Sequence, residues 1–152
     1  MELGSFIKET QLHIKNVGKY LSIIAEDLVK RAAEHDMSKI GSETERTIFI
    51  EYTPKLKEST YGSGEYKAFL KEMEVGLSHH YENNSHHPEF YAEGIRGMNL
   101  IDFVEMLCDW KAATLRHRDG DLTKSIEQNQ QRFGYSDDIK QILLNTVSIL
   151  GK

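Results

Sequence analysis

Two histidine-bearing motifs and one late aspartate are the residues here whose types and spacing suit a metal centre. The first motif is Glu34-His35-Asp36-Met37-Ser38-Lys39. A His-Asp pair at the end of a helix offers an imidazole nitrogen and a carboxylate oxygen from neighbouring positions. Those donors hold borderline and hard divalent ions. The second motif runs Ser78-His79-His80-Tyr81-Glu82-Asn83-Asn84-Ser85-His86-His87-Pro88-Glu89 and carries four histidines within nine residues. It falls where a helix runs out into irregular chain, so its donors can approach one point from different backbone directions. On the helix, His79 and His80 project about 100° apart, and only one of them need face an ion. The third element is Asp109, set among Met106, Leu107, Cys108, Trp110, Ala112 and Ala113. A carboxylate in so apolar a stretch is costly to bury unless it is ion-paired or bound to a cation. Asp102 lies two turns earlier on nearly the same face.

His13 stands one turn before Val17 on an apolar stripe, a place more often taken by a hydrogen-bonded core residue. Its position upstream of the His-Asp pair makes it a candidate ligand all the same. If His13 and His35 serve one ion, the chain must bend between them, near Gly18 or at Ser22. Twenty-two residues of straight helix would hold them roughly 33 Å apart. His117, beside Arg116, Arg118 and Asp119 near a helix end, is expected to face solvent.

The elements that position these residues read as helix after helix, with two prolines and almost no alternating β-branched runs. Residues of about 6–34 carry Val17, Leu21, Ile24 and Leu28 at spacings of three and four. Gly41-Ser42 breaks the chain, and Ser42 can cap a helix towards Lys57 with Glu43 and Glu45 in its first turn. Ser63 or Gly64 opens another through Leu77, ended by Asn83-Asn84-Ser85, and Pro88 keeps the next stretch irregular. Residues 100–117 form a long helix, followed by a turn at 118–121 and helices over about 122–132 and 137–150. The expectation is one all-α domain over residues 1–152, of about six helices.

With 152 residues the chain can bury one sizeable core. A net charge of −5 without a basic run gives no strong nucleic-acid signal. The single cysteine, Cys108, excludes a cysteine-based zinc site and fits a reducing compartment. No segment has the apolar length to span a bilayer, so no membrane role and a cytoplasmic location are expected.

Taken together, the motifs resemble those of the HD superfamily of metal-dependent phosphohydrolases: an early histidine, a His-Asp pair and a late aspartate. Here these would be His13, His35-Asp36 and Asp109. The chain is more closely similar to a family of small bacterial and phage proteins of unknown function. That family pairs an HDxSK motif, here residues 35–39, with HxxxNxHHxE, here residues 80–89, and an Asp-Trp, here Asp109-Trp110. The resemblance implies an HD-like helical domain holding one or two divalent transition ions (Mn, Fe, Co or Zn). His80, His86 and His87 would supply a second ion. It also implies hydrolysis of a small-molecule phosphate ester, by default a nucleotide. Lys39 and Lys111 would contact phosphate, while Glu51, Glu89 or Glu105 would act as base or stand behind a ligand. The other class is a non-catalytic metal- or nucleotide-binding protein of phage or bacterial origin. Self-association of the chain is left open.

Overall fold

Side-chain caps open five of the described helices. The computed structural model describes residues 2–60, 62–116 and 120–151, all of them helix, turn or loop; His117 lies outside these residues. The chain divides into two compact units, residues 1–35 and residues 36–152.

The first unit is one helix, α1 (Leu3–Glu34), which His35 ends by donating its backbone N–H to the Arg31 carbonyl at 2.7 Å. The expected bend is absent. Ser22 does not cap a second helix; its hydroxyl donates back to the Gly18 carbonyl at 3.0 Å. One glycine inside a helix costs only about 1 kcal/mol relative to alanine, too little to break so long an element. His13 is exposed on the unbroken helix that His35 ends. At about 1.5 Å per residue the two stand roughly 33 Å apart and cannot share an ion within this unit. His13 therefore leaves the ligand set.

The second unit contains α2 (Ser38–Gly41), α3 (Glu43–Glu58), α4 (Gly64–Glu72) and α5 (Glu74–Asn83). Two 3-10 turns follow, Pro88–Phe90 and Gly94–Gly97. Then come α6 (Leu100–Thr114), α7 (Leu122–Phe133), α8 (Asp137–Thr146) and a last 3-10 turn, Val147–Leu150. Ser42 and Ser63 cap α3 and α4 by accepting from the Glu45 and Tyr66 amides. The helix expected through Leu77 is interrupted at Met73, whose backbone (φ −81°, ψ −1°) offsets α4 from α5 and whose side chain is fully buried.

Two kinds of packing hold this unit. The α6–α8 end is apolar: Leu107, Leu122, Ile126, Tyr135 and Leu143 form the core, with Trp110 and Phe133 packed against it. Trp110 of the Asp-Trp motif is thus a packing residue. The α3–α5 end is close and polar. A Cβ on Gly76 would lie 3.0 Å from the Ile48 side chain, so any larger residue would need Ile48 to give way at this crossing. Glu45 lies one turn before Ile48, and His79 and His80 lie one turn after Gly76. The contact therefore brings the acid and the histidines together.

Gly76→Val should force α5 off α3 and lower stability by about 1–3 kcal/mol, the usual cost of overpacking. Denaturant unfolding reads this as a lower midpoint, and an unchanged midpoint would show that the crossing has room to spare.

Candidate metal centre

Asp36 opens the second unit with φ +57°, in the left-handed region. Aspartate tolerates that region better than most residues because its short side chain bonds locally. Its carboxylate divides its contacts. Oδ2 accepts from Lys39 Nζ at 2.5 Å, while Oδ1 lies 3.2 Å from His80 Nε2 and 3.6 Å from His86 Nε2.

The histidines arrive by two routes. His80 sits in the last turn of α5 and is almost wholly buried. The chain leaves the helix at Asn84 (φ −132°, ψ 102°), and His87, extended at φ −97° and ψ 129°, precedes Pro88. A residue before proline is disfavoured in helical conformation, so His86 and His87 return towards His80 from the loop. His80 and His87 place their Nε2 atoms 3.0 Å apart. One donor atom each from Asp36, His80, His86 and His87 lies within 4.8 Å of all the others. A tetrahedral shell with bonds of about 2.1 Å sets its donors roughly 3.4 Å apart. The separations of 3.0, 3.2 and 3.6 Å between these atoms bracket that value.

Carboxylates stand behind two of the rings. Glu45, fully buried, accepts from His80 Nδ1 at 2.9 Å, from His79 Nδ1 at 2.7 Å and from the Ser38 hydroxyl at 2.8 Å. Glu105 Oε1 lies 3.2 Å from Nδ1 of the buried His86. A proton on Nδ1 facing a carboxylate leaves the lone pair on Nε2, the atom that points at Asp36. Burial raises the Glu45 carboxyl, but the hydrogen bonds from His79, Ser38 and His80 together outweigh it and hold the group below its usual range. Burial first, then the neighbouring His86 and His80 rings, push His87 down to about 3. Its imidazole is neutral at ordinary pH, the form that binds metal.

The helix α6 adds a graded row of carboxylates. Asp102, fully buried, accepts from the Asn99 amide at 2.8 Å, the Tyr91 hydroxyl at 2.7 Å and the Ser85 hydroxyl at 3.1 Å. It thereby ties the histidine loop to the start of α6. Asp109 lies one turn beyond Glu105, with a carboxylate oxygen within 4.8 Å of one on Asp36. Two carboxylates, Asp36 and Asp109, drawn this close together favour a cation between them.

A family model described as a family of unknown function (DUF5662) matches residues 3–149. The chain belongs to this family. No curated protein and no solved structure matches it.

Within the DUF5662 chain, the structure brings together Asp36, His80, His86, His87, Asp109 and Lys39 of the residues singled out by sequence. His35 ends the first unit directly before Asp36, half-buried. Two expected catalytic residues are placed elsewhere. Lys111 donates to the Gly151 carbonyl at 3.1 Å and lines a separate cavity with Asp121 and Val147. It is two positions past Asp109, and helix residues two apart do not share a face. Glu89 is exposed and paired with Arg132 at 2.6 Å, so its carboxylate answers a guanidinium. Glu51 pairs with Lys55 on the exposed side of α3. Sequence reasoning passed over Glu45 because Ser42-x-x-Glu45 reads as a helix-capping pattern. The available signal was its position one short turn after the His-Asp motif.

Glu45→Gln replaces one acceptor oxygen with an amide that cannot accept from both Nδ1–H groups. It should weaken Zn²⁺ or Mn²⁺ binding about 10–100-fold, as loss of a carboxylate behind a ligating histidine does. Calorimetric titration checks this, and unchanged affinity would mean that Glu45 only braces the fold.

Proposed function

We propose that this DUF5662 chain is an HD-type metal-dependent phosphohydrolase acting on a nucleotide or related phosphate ester. The observation that carries the reading is the convergence of Asp36, His80, His86 and His87, with Glu45 and Glu105 behind two of the rings. Three imidazoles and a carboxylate suit Mn²⁺, Fe²⁺, Co²⁺ or Zn²⁺ better than Mg²⁺ or Ca²⁺. Asp109 beside Asp36 leaves room in this reading for a second ion, and the His-Asp motif adds His35 to the proposed ligands. A bound divalent ion supplies an acidified water and neutralises charge on phosphoryl oxygens. Lys39, held against Asp36, is the positive point charge for a phosphate arriving at the centre.

One observation favours the second reading, a non-catalytic metal-binding protein. Four protein donors would already fill a tetrahedral shell, as in structural zinc sites. A six-coordinate ion on the same donors keeps two positions open for water and phosphate. Turnover of a phosphate-ester panel with added Mn²⁺ or Co²⁺ separates the readings.

Asp36→Asn and His80→Ala should each remove bound metal and hydrolysis together, whereas His13→Ala and Lys111→Ala should alter neither. Lys39→Ala should retain metal and lose at least about tenfold in kcat/KM, about 1.4 kcal/mol of transition-state binding. Metal content measured on each purified variant, alongside turnover, checks the set. Metal retained by Asp36→Asn and His80→Ala would sink the site, and metal bound without turnover on any ester would favour the second reading.

A further inference from the structure

We infer that α1 is a self-association helix, along which two copies of the chain pair as a coiled coil. Leu3, Ile7, Thr10, Ile14, Val17, Leu21, Ile24, Leu28 and Arg31 follow one another at alternating spacings of four and three. Seven of these nine seam positions are apolar, over four heptads. A strict 3.5-residue repeat drifts around a straight 3.6-residue helix, so it stays in one contact only when two helices supercoil about each other.

The exposure of these side chains agrees. No described residue of α1 is buried, and Leu3, Ile14 and Leu21 are 73%, 63% and 61% exposed. The residues following seam positions 3, 17, 24 and 31 are Gly4, Gly18, Ala25 and Ala32, small enough to let a second backbone approach closely. On the other flank Phe6 and Tyr20, 56% and 63% exposed, extend the apolar surface.

Charge favours a second copy as the occupant. Residues 2–34 carry five acidic side chains (Glu2, Glu9, Glu26, Asp27, Glu34) and five basic ones (Lys8, Lys15, Lys19, Lys30, Arg31). A neutral helix does not repel its own copy, whereas a helix that lies on an anionic membrane has a basic polar face. Two copies bury the same stripe at once under two-fold symmetry, the commonest arrangement of soluble oligomers.

Sedimentation equilibrium of the full chain, from low to high micromolar concentration, should give a concentration-dependent mass approaching twice the monomer. Leu21→Glu combined with Ile24→Glu, on the seam, should raise the dissociation constant at least hundredfold. Leu12→Glu combined with Ile23→Glu, equally exposed but off the seam, should leave it within a few fold. Leu21→Met, which conserves volume, should still dimerise. That variant keeps the test decisive if circular dichroism shows that the charged seam variant has lost helix. A wild-type chain that stays monomeric throughout, or whose monomer sediments with anionic vesicles, would overturn the proposal. Equal loss of dimer in the on-seam and off-seam pairs would overturn it as well.

Discussion

A carboxylate with no access to water must be answered by donors, and Glu45 is such a group. Leaving a buried charge without its partners costs several kcal/mol, so two neighbouring elements are arranged to supply them. The Ser38 hydroxyl comes from α2, the His79 and His80 rings from α5, and the acid itself from the first turn of α3. The close crossing at Gly76 and Ile48 serves the same demand, since a Cβ on Gly76 would already press against the Ile48 side chain at 3.0 Å. Satisfying Glu45 also fixes which nitrogen of His80 carries the proton, and therefore which one faces Asp36. Structural need and the geometry of the candidate metal centre meet in this one interaction.

On the opposite side α6 divides similar work among three carboxylates at spacings of three and four, hence on one face. Asp102 pins the histidine loop, Glu105 orients His86, and Asp109 stands beside Asp36. Between these two supports the loop has little freedom. Asp102 holds its middle through Ser85 and Tyr91, and Pro88 is buried immediately after His87. The ligand-type atoms are thus positioned by groups that are themselves buried and hydrogen-bonded, and such support keeps a functional constellation in register.

Much of this was legible from residue types alone. Ser42, Ser63 and the Asn83-Asn84-Ser85 break mark helix ends through local chemistry, and four histidines around such a break mark a candidate centre. What stayed hidden depends on tertiary packing. Gly18 and Ser22 look like a bend, yet a single glycine and a back-bonded serine are too weak to interrupt α1, and so His13 is separated from the pair. Nothing local marks Met73 as an interruption, since its burial is decided by residues distant in sequence. Glu45 wears the pattern of a helix cap, and only the approach of α5 turns it to the histidines. Lys111 beside Asp109 looked close in sequence but projects from another face of the helix.

The central claim is that Asp36, His80, His86 and His87 surround one cation. Anomalous diffraction at a metal absorption edge, from crystals grown with Mn²⁺ or Zn²⁺, tests it directly. The account predicts a strong peak about 2.0–2.2 Å from Asp36 Oδ1 and from the histidine Nε2 atoms, with Glu45 and Glu105 still on the far side of their rings. A map with no peak among these four residues, or with His80 Nε2 turned away from Asp36, would contradict it.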